Sequence, residues 1–223
     1  IASMTRRWTG ARPRLWASDS PPRSEIGTPI ASAKASADAM RISGSISSPP
    51  GVAGAPSSSS RPLVQPRRLA HMLVFTRDIP NTIKFYSEAL GLRLSDRSGD
   101  MIAFMHGIHG SDHHMIAFVK ADGPGLHHLS WDVPSINQIG LGAMQMADKG
   151  YVAGWGLGRH VLGSNYFHYV RDPWGSYAEY SSDIDYIPVD HNWKSGDHPA
   201  EDSFYVWGPT PPADFAINHE IAS

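Results

Sequence analysis

The chain has 223 residues, no cysteine and a formal net charge of −2. Without cysteine it can form no disulfide, Cys-ligated zinc site, iron–sulfur cluster or thiol nucleophile, so any metal must be held by His, Asp or Glu. From Leu69 onward the chain has 9 basic and 18 acidic residues, and this acidic balance argues against nucleic acid as a partner. No apolar run approaches the length of a membrane-spanning helix, so we expect no membrane partner and a cytoplasmic location.

The N-terminal segment, residues 1–66, is dominated by Ser, Ala, Pro, Gly and Arg. No helical or strand periodicity persists there, and such a sequence buries too little apolar area to offset its ordering entropy. We predict a disordered low-complexity segment. Its origin is either upstream sequence from an uncertain start site, which the first residue Ile1 favours, or an organelle transit peptide. A catalytic domain is expected over 67–185 and a C-terminal tail packed on it over 186–223.

A first unit of predicted elements begins at Leu69. LAHMLVFT (69–76) alternates like a strand, and a helical stripe of apolar residues follows as far as Leu90. Asp78 is a suitable N-cap for that helix, and Gly91 ends it as a C′ residue would. Three short strands are predicted next, over 92–97, 101–106 and 113–119.

A second unit repeats this order. A strand over 126–133 precedes a helix that Pro134 and Ser135 open, that runs to about Lys149 and that Gly150 closes. Further strands are predicted over 151–157, 166–172 and 176–181. Two such units predict an α+β fold in which paired βαβββ modules form one curved mixed sheet around a cavity. The sequence after Asp183 is rich in Trp, Tyr and Pro and is expected to lie over the domain as a tail.

Two histidines occupy matching places in the opening strands of the two units. His71 and His128 are each followed by an alternating pattern that puts them on corresponding faces. Glu179 lies in the last strand of the second unit, and an internal alignment of 110–114 with 175–179 matches it to His114. A single His on a strand is more often structural, but a matched pair with a carboxylate is harder to explain as packing. Two imidazoles and one carboxylate form the facial triad of non-haem Fe(II) chemistry.

The stretch GRHVLGSNYFHYVRDPWGSYAEY (158–180) resembles the signature of the type I extradiol dioxygenases of the vicinal oxygen chelate superfamily. That signature runs from a His through a hydrophobic-Tyr pair to Asp-Pro-x-Gly and a final Glu. The matching residues are His160, Tyr169, Asp172, Pro173, Gly175 and Glu179. LAHMLVF and GLHHLSWDV resemble the strands that carry the family's histidine ligands, so the resemblance covers about residues 68–182.

The resemblance implies a metal site with specific roles for its residues. The ligands of a mononuclear Fe(II), with Mn(II) as the alternative ion, would be His71, His128 and Glu179. His114 would be the acid–base histidine beside the oxygen site, and His160 and Tyr169 would contact the catecholic oxygens. The implied reaction is cleavage of an aromatic diol by O2, both of whose atoms enter the product, in aromatic-compound degradation. A homo-oligomer is expected.

Two alternatives to ring cleavage stay open. One is a glyoxalase-like, metal-dependent isomerase on the same scaffold; that chemistry favours a fourth protein ligand, often Glu, where this chain has His114. The other is a non-catalytic or degraded binding module, which the intact set of six residues argues against. The family usually has an additional N-terminal pair of modules, and residues 1–66 do not resemble one. Aromatic candidates for either the substrate pocket or ordinary core are Phe104, Trp131, Trp155 and Trp174.

Overall fold

The computed structural model describes residues 63–221. The predictions for residues 1–62, a disordered segment or a transit peptide, therefore lie outside the described residues. Val64, which precedes the expected domain boundary at residue 67, is fully buried in a cluster with Ile139 and Met146. Its backbone N–H donates to the Gln145 side chain at 3.1 Å. The two adjacent apolar residues Leu63 and Val64 create no periodicity, so the sequence pattern gave no sign of this contact.

The first unit has the predicted strand, helix and three further strands, together with one two-residue strand that was not predicted. In chain order these elements are β1 (Arg68–Thr76), α1 (Ile79–Leu90), β2 (Arg93–Ser98), β3 (Ile102–His106), β4 (Ser111–Asp112) and β5 (Ile116–Lys120). The Asp78 side chain accepts the N–H of Asn81 at 2.9 Å, which confirms it as the N-cap of α1. Gly91 follows α1 with a φ of 70°, a left-handed conformation that favours glycine.

The second unit repeats the first. Its elements are β6 (Gly125–Asp132), α2 (Ile136–Ala147), β7 (Gly154–His160), β8 (Tyr166–Arg171) and β9 (Tyr177–Ser182). Ser135 is the N-cap of α2, as predicted, but α2 ends at Ala147, two residues before the predicted Lys149. The C-terminal segment adds β10 (Tyr186–Ile187), β11 (Gly196–Asp197), a 3-10 turn (Ala200–Asp202) and β12 (Tyr205–Trp207).

One mixed sheet joins both units in the order β11-β2-β3-β5-β1-β6-β9-β8-β7-β12. The two opening strands, β1 and β6, pair antiparallel at its centre, while β5 is parallel to β1 and β9 is parallel to β6. This arrangement confirms the predicted α+β fold of two paired βαβββ modules. The C-terminal segment is more than a covering tail, since β11 and β12 form the two edges of the sheet.

Alternation along the strands gives the sheet two different faces. Met72 and Val74 of β1 pack in the cluster beneath α1, and Ala178 and Tyr180 of β9 pack beneath α2. The residues between them point away from the helices. The helices therefore cover one face, and the predicted site residues share the other. Among residues 63–221, neither helix is long and apolar enough to cross a membrane.

The strand register corrects the internal alignment of His114 with Glu179. In the second unit Glu179 pairs with Ser130, two residues after His128. In the first unit the equivalent residue of β1 is Leu73, and it pairs with Ala117. Ala117 therefore occupies the place equivalent to Glu179, and His114 precedes β5 in an irregular connection.

Candidate active site

One row of paired residues crosses four strands of the site face. His71 on β1 pairs with Ser130 on β6, Ser130 with Glu179 on β9, and Glu179 with Tyr169 on β8. Directly paired residues point to the same face of a sheet. Ser130 is small, which lets the side chains of His71 and Glu179 meet above it. His128 lies two residues before Ser130 on the same strand and joins this group.

The predicted ligand atoms lie close together in the interior. His71 Nε2 is 3.1 Å from Glu179 Oε2, and His128 Nε2 is 3.5 Å from the same oxygen. All three residues are buried, and one ligand atom from each lies within 4.8 Å of the others. His128 Nε2 and Glu179 Oε2 have no hydrogen-bond partner although both are buried. Buried polar atoms without partners are costly, so their convergence on one point indicates a place for a cation.

His127 orients the His128 ring through a hydrogen bond between their Nδ1 atoms. His127 Nε2 donates to the backbone carbonyl of Phe215 at 2.8 Å, so the neutral His127 ring has a bare Nδ1. That Nδ1 lies 2.8 Å from His128 Nδ1 and accepts its hydrogen. His128 Nε2 is therefore unprotonated, and its lone pair faces Glu179. Burial lowers the pKa of His127 to about 4 and that of His128 well below its ordinary value, which keeps both rings neutral.

The carboxylate has a similar support. Asn165 is fully buried and donates its amide to Glu179 Oε1 at 3.2 Å. Glu179 itself is fully buried, and no Lys or Arg forms an ion pair with it among the described residues. The carboxylate is thus oriented by an amide and two nearby imidazoles while one oxygen is left for another partner. Sequence reasoning did not identify Asn165, because an isolated Asn carries no positional signal.

His160 and Tyr169 are hydrogen-bonded to each other beside this group. His160 Nδ1 donates to the Phe204 carbonyl at 2.9 Å, so its Nε2 accepts the Tyr169 hydroxyl at 2.9 Å. His160 Nε2 also lies 3.9 Å from Glu179 Oε1. Burial, together with the charge of Glu179, raises the pKa of Tyr169 well above its ordinary value. Tyr169 therefore keeps its proton, and its oxygen has lone pairs free to accept from a ligand.

His114 reaches the same place from the first unit. Its ring centroid is 4.3 Å from that of His71. Burial, followed by the neighbouring histidines, lowers the pKa of His114 well below its ordinary value. Gly163, with a φ of 82°, lies against this ring, and a Cβ there would be 3.0 Å from His114 Cε1. Glycine at this position therefore gives His114 the space for its ring.

A cavity of about 320 Å³ opens onto these six residues. All of them except the recessed Glu179 line it, and its remaining wall is mainly apolar. Of the four aromatic candidates, Phe104 lines this cavity, and Trp131, Trp155 and Trp174 do not. Trp155 instead stacks behind Tyr169, with the two rings 12° from parallel. The structure thus brings five of the six predicted site residues to the wall of one cavity and places Glu179 directly behind it.

Known proteins resemble this chain over the part that carries the site. A family model described as the Glyoxalase/Bleomycin resistance protein/Dioxygenase superfamily matches residues 68–180. Metapyrocatechase 2 of Cupriavidus necator is 57% identical over 172 residues, which are 77% of this chain and 54% of that protein. This chain therefore spans about half the length of that relative.

Two solved structures share the fold. The Mn(II)-bound glyoxalase from Novosphingobium aromaticivorans is 30% identical with a TM-score of 0.60, over 66% of this chain and 48% of that one. BphC, a halotolerant catechol dioxygenase, is 25% identical with a TM-score of 0.55, over 64% of this chain and 47% of that one. Together with the family match, these likenesses show that the chain belongs to the Glyoxalase/Bleomycin resistance protein/Dioxygenase superfamily.

Proposed function

We propose that the chain is the catalytic part of an extradiol dioxygenase, which opens a catecholic ring with O2 at a mononuclear Fe(II) held by His71, His128 and Glu179. The observation that carries this proposal is the convergence of unpartnered ligand atoms with the His160–Tyr169 pair on one apolar cavity. The 57% identity to a protein named metapyrocatechase supports it.

The three proposed ligands fit such an ion. Donor atoms that bind one ion at about 2.1 Å and at right angles lie about 3 Å apart. The Glu179 oxygen is 3.1 Å and 3.5 Å from the two imidazole nitrogens. Two neutral nitrogens and one carboxylate suit Fe(II) and Mn(II) alike, and we propose Fe(II) because the neighbouring groups suit an aromatic diol. The buried carboxylate also needs a positive partner, which a divalent ion provides.

The bound ion supplies Lewis acidity and redox chemistry with O2. The chain's own residues position the diol and control its protons. Tyr169 donates to His160 and can accept a hydrogen from a catecholic hydroxyl, which orients the ring. His114, whose ring lies beside that of His71 and lines the cavity, is placed to take up and return a proton. The apolar wall excludes water from the site.

The cavity indicates the class of catechol. No Lys, Arg, Asp or Glu lies among the described residues that line it. A carboxylated or sulfonated ring would therefore bury its charge without a partner. Apolar residues that line the cavity include Leu73, Ile102, Phe104, Val119, Leu162 and Phe204. We propose an uncharged catechol that carries no substituent or a small apolar one.

Anaerobic reconstitution tests this function. The full chain is loaded with Fe(II), mixed with catechol and then exposed to air, and a yellow ring-opened product with matching O2 consumption is expected. The Tyr169→Phe variant should bind the same amount of iron and form product more slowly, which ties the product to the site. Iron binding without product would support a binding module instead.

A glyoxalase-like isomerase is the alternative on the same fold. It favours a fourth protein ligand, and the strand register places Ala117, which has no ligand atom, at the position equivalent to Glu179. The His160–Tyr169 pair also has no role in that chemistry. Turnover of the glutathione adduct of methylglyoxal, with no reaction of catechol, would overturn the dioxygenase proposal.

A further inference from the structure

A buried carboxylate lies behind His114, outside the residues used so far. Asp96 on β2 is 6% exposed and accepts three hydrogen bonds. They come from His113 Nε2 at 2.8 Å, the Gly196 N–H at 2.6 Å and His198 Nε2 at 3.1 Å. Burial raises the pKa of Asp96, but these hydrogen bonds outweigh it and hold the pKa below the ordinary value. The group is therefore an ionised, accepting carboxylate.

Its contact with His113 fixes the direction of a chain of hydrogen bonds. Because a carboxylate only accepts, His113 must carry a hydrogen on Nε2. A neutral His113 then has a bare Nδ1, which lies 3.0 Å from His114 Nδ1. One hydrogen lies between these two nitrogens, and it belongs to His114. His114 Nε2 is therefore left without a hydrogen. Because His114 lines the cavity, this unprotonated nitrogen is available to a ligand there.

We infer that Asp96 and His113 are positioning residues that hold His114 in the tautomer whose bare Nε2 serves the cavity. This inference rests on the proposed function and deepens it. When a catecholic hydroxyl loses its proton on binding, the proton moves to His114 Nε2, which leaves a catecholate and an imidazolium. His113 accepts from that imidazolium, and the negative charge of Asp96 stabilises the pair. His114 returns the proton in a later step and regains its starting state.

The His127–His128 pair shows the same arrangement in the second unit. There the Phe215 carbonyl takes the place of Asp96, and the neighbouring ring is again left with a bare Nε2. The two pairs differ in charge, because the carbonyl is neutral and the carboxylate is not. Of the two pairs, His113–His114 is therefore the one whose hydrogen-bonding partner behind it carries a negative charge.

Asp96→Asn tests the inference because the Gly196 N–H fixes how the new amide must lie. The amide oxygen has to face that backbone donor, so the amide NH2 faces His113 Nε2. His113 then carries its hydrogen on Nδ1, and His114 becomes protonated on Nε2. The matched control is Asp197→Asn, which removes the same charge from the neighbouring strand β11. Asp197 is half exposed, binds Arg97 and the Gly99 N–H, and makes no hydrogen bond to a histidine among the described residues.

The tautomers are read by ¹⁵N NMR of the full chain loaded with diamagnetic Zn(II). His114 should carry its hydrogen on Nδ1 in the wild type and in Asp197→Asn, and on Nε2 in Asp96→Asn. In the Fe(II) enzyme, kcat of Asp96→Asn should fall by about 10²- to 10⁴-fold, the usual contribution of general acid–base catalysis. Bound iron should change less than about threefold, since iron binding does not depend on this hydrogen.

Three results would overturn the inference. They are a wild-type His114 protonated on Nε2, an unchanged His114 tautomer in Asp96→Asn, and a reversed tautomer with undiminished kcat. If Asp96→Asn does not fold, the wild-type spectrum still tests the inference, because it shows which nitrogen of His114 carries the hydrogen. Failure of the proposed function is separate, because it would show as wild-type protein that binds iron and cleaves no catechol whichever tautomer the spectrum reports.

Discussion

Glu179→Gln is the sharpest test of the proposed metal site. Glutamine keeps the volume of Glu179 and an oxygen for the Asn165 amide, but it removes the single negative charge among the three proposed ligands. Loss of a hydrogen-bonding partner behind a metal ligand already costs about 10- to 100-fold in metal affinity. Loss of the anionic ligand itself should cost at least 100-fold.

The expected change in stability follows from binding linkage. At an ion concentration 100 times the wild-type Kd, the folded state gains about 2.7 kcal/mol. For a chain of this size, that corresponds to a rise in Tm of about 5–10 °C. At the same concentration, a variant with 100-fold weaker affinity gains only about 0.4 kcal/mol. Its Tm should then rise by less than about 2 °C.

Thermal unfolding under anaerobic conditions, with and without Fe(II), measures this difference. Iron bound after gel filtration gives an independent reading. Glu88→Gln is the matched control, because it makes the same chemical change on the exposed face of α1. It should keep the full rise in Tm. A Glu179→Gln variant that retained its iron and the same rise in Tm would refute the ligand assignment.

Four further changes test other parts of the site and fold. Tyr169→Phe should lower kcat for catechol by roughly 10- to 150-fold, the effect of losing a hydrogen bond worth about 1.5–3 kcal/mol; unchanged kcat would exclude contact with the substrate. His127→Phe should weaken Fe(II) binding by about 10- to 100-fold in a titration, since the adjacent histidine loses its acceptor. Gly163→Ala should cost about 1–2 kcal/mol of unfolding free energy because of its positive φ, and it should slow turnover by displacing the histidine ring against it. Val64→Ala should cost about 1.5–3 kcal/mol in denaturant unfolding, whereas Leu63→Ala, at a position 70% exposed, should cost almost nothing.

The C-terminal segment takes part in the site to a degree that its composition did not indicate. Its backbone carbonyls at Phe204 and Phe215 accept from His160 and His127, and its Gly196 N–H binds Asp96. These contacts fix the hydrogen positions on the site histidines. A carbonyl contributes the same atom whatever the side chain, so no sequence pattern marks such a role.

Most of the fold was predictable from short-range patterns. Alternation in 69–76 and 126–133, the caps Asp78 and Ser135 and the glycine after α1 depend on neighbouring residues only, and the structure has them as predicted. The burial of Val64 was not predicted, because it depends on distant partners, and the end of α2 was predicted two residues too late. The register of β5 was also missed, since it is set by pairing with β1 and not by local sequence.

The sequence by itself determined the α+β order of the two units, because alternation is a local property, and its resemblance to the extradiol dioxygenases gave the six candidate residues. Only the tertiary structure decided how those residues meet. Pairing across β1, β6, β9 and β8 brings His71, Glu179 and Tyr169 into one row. It also revealed Asn165 and the histidine doublets as supports, because hydrogen bonds between residues far apart in the chain exist only once the sheet has formed.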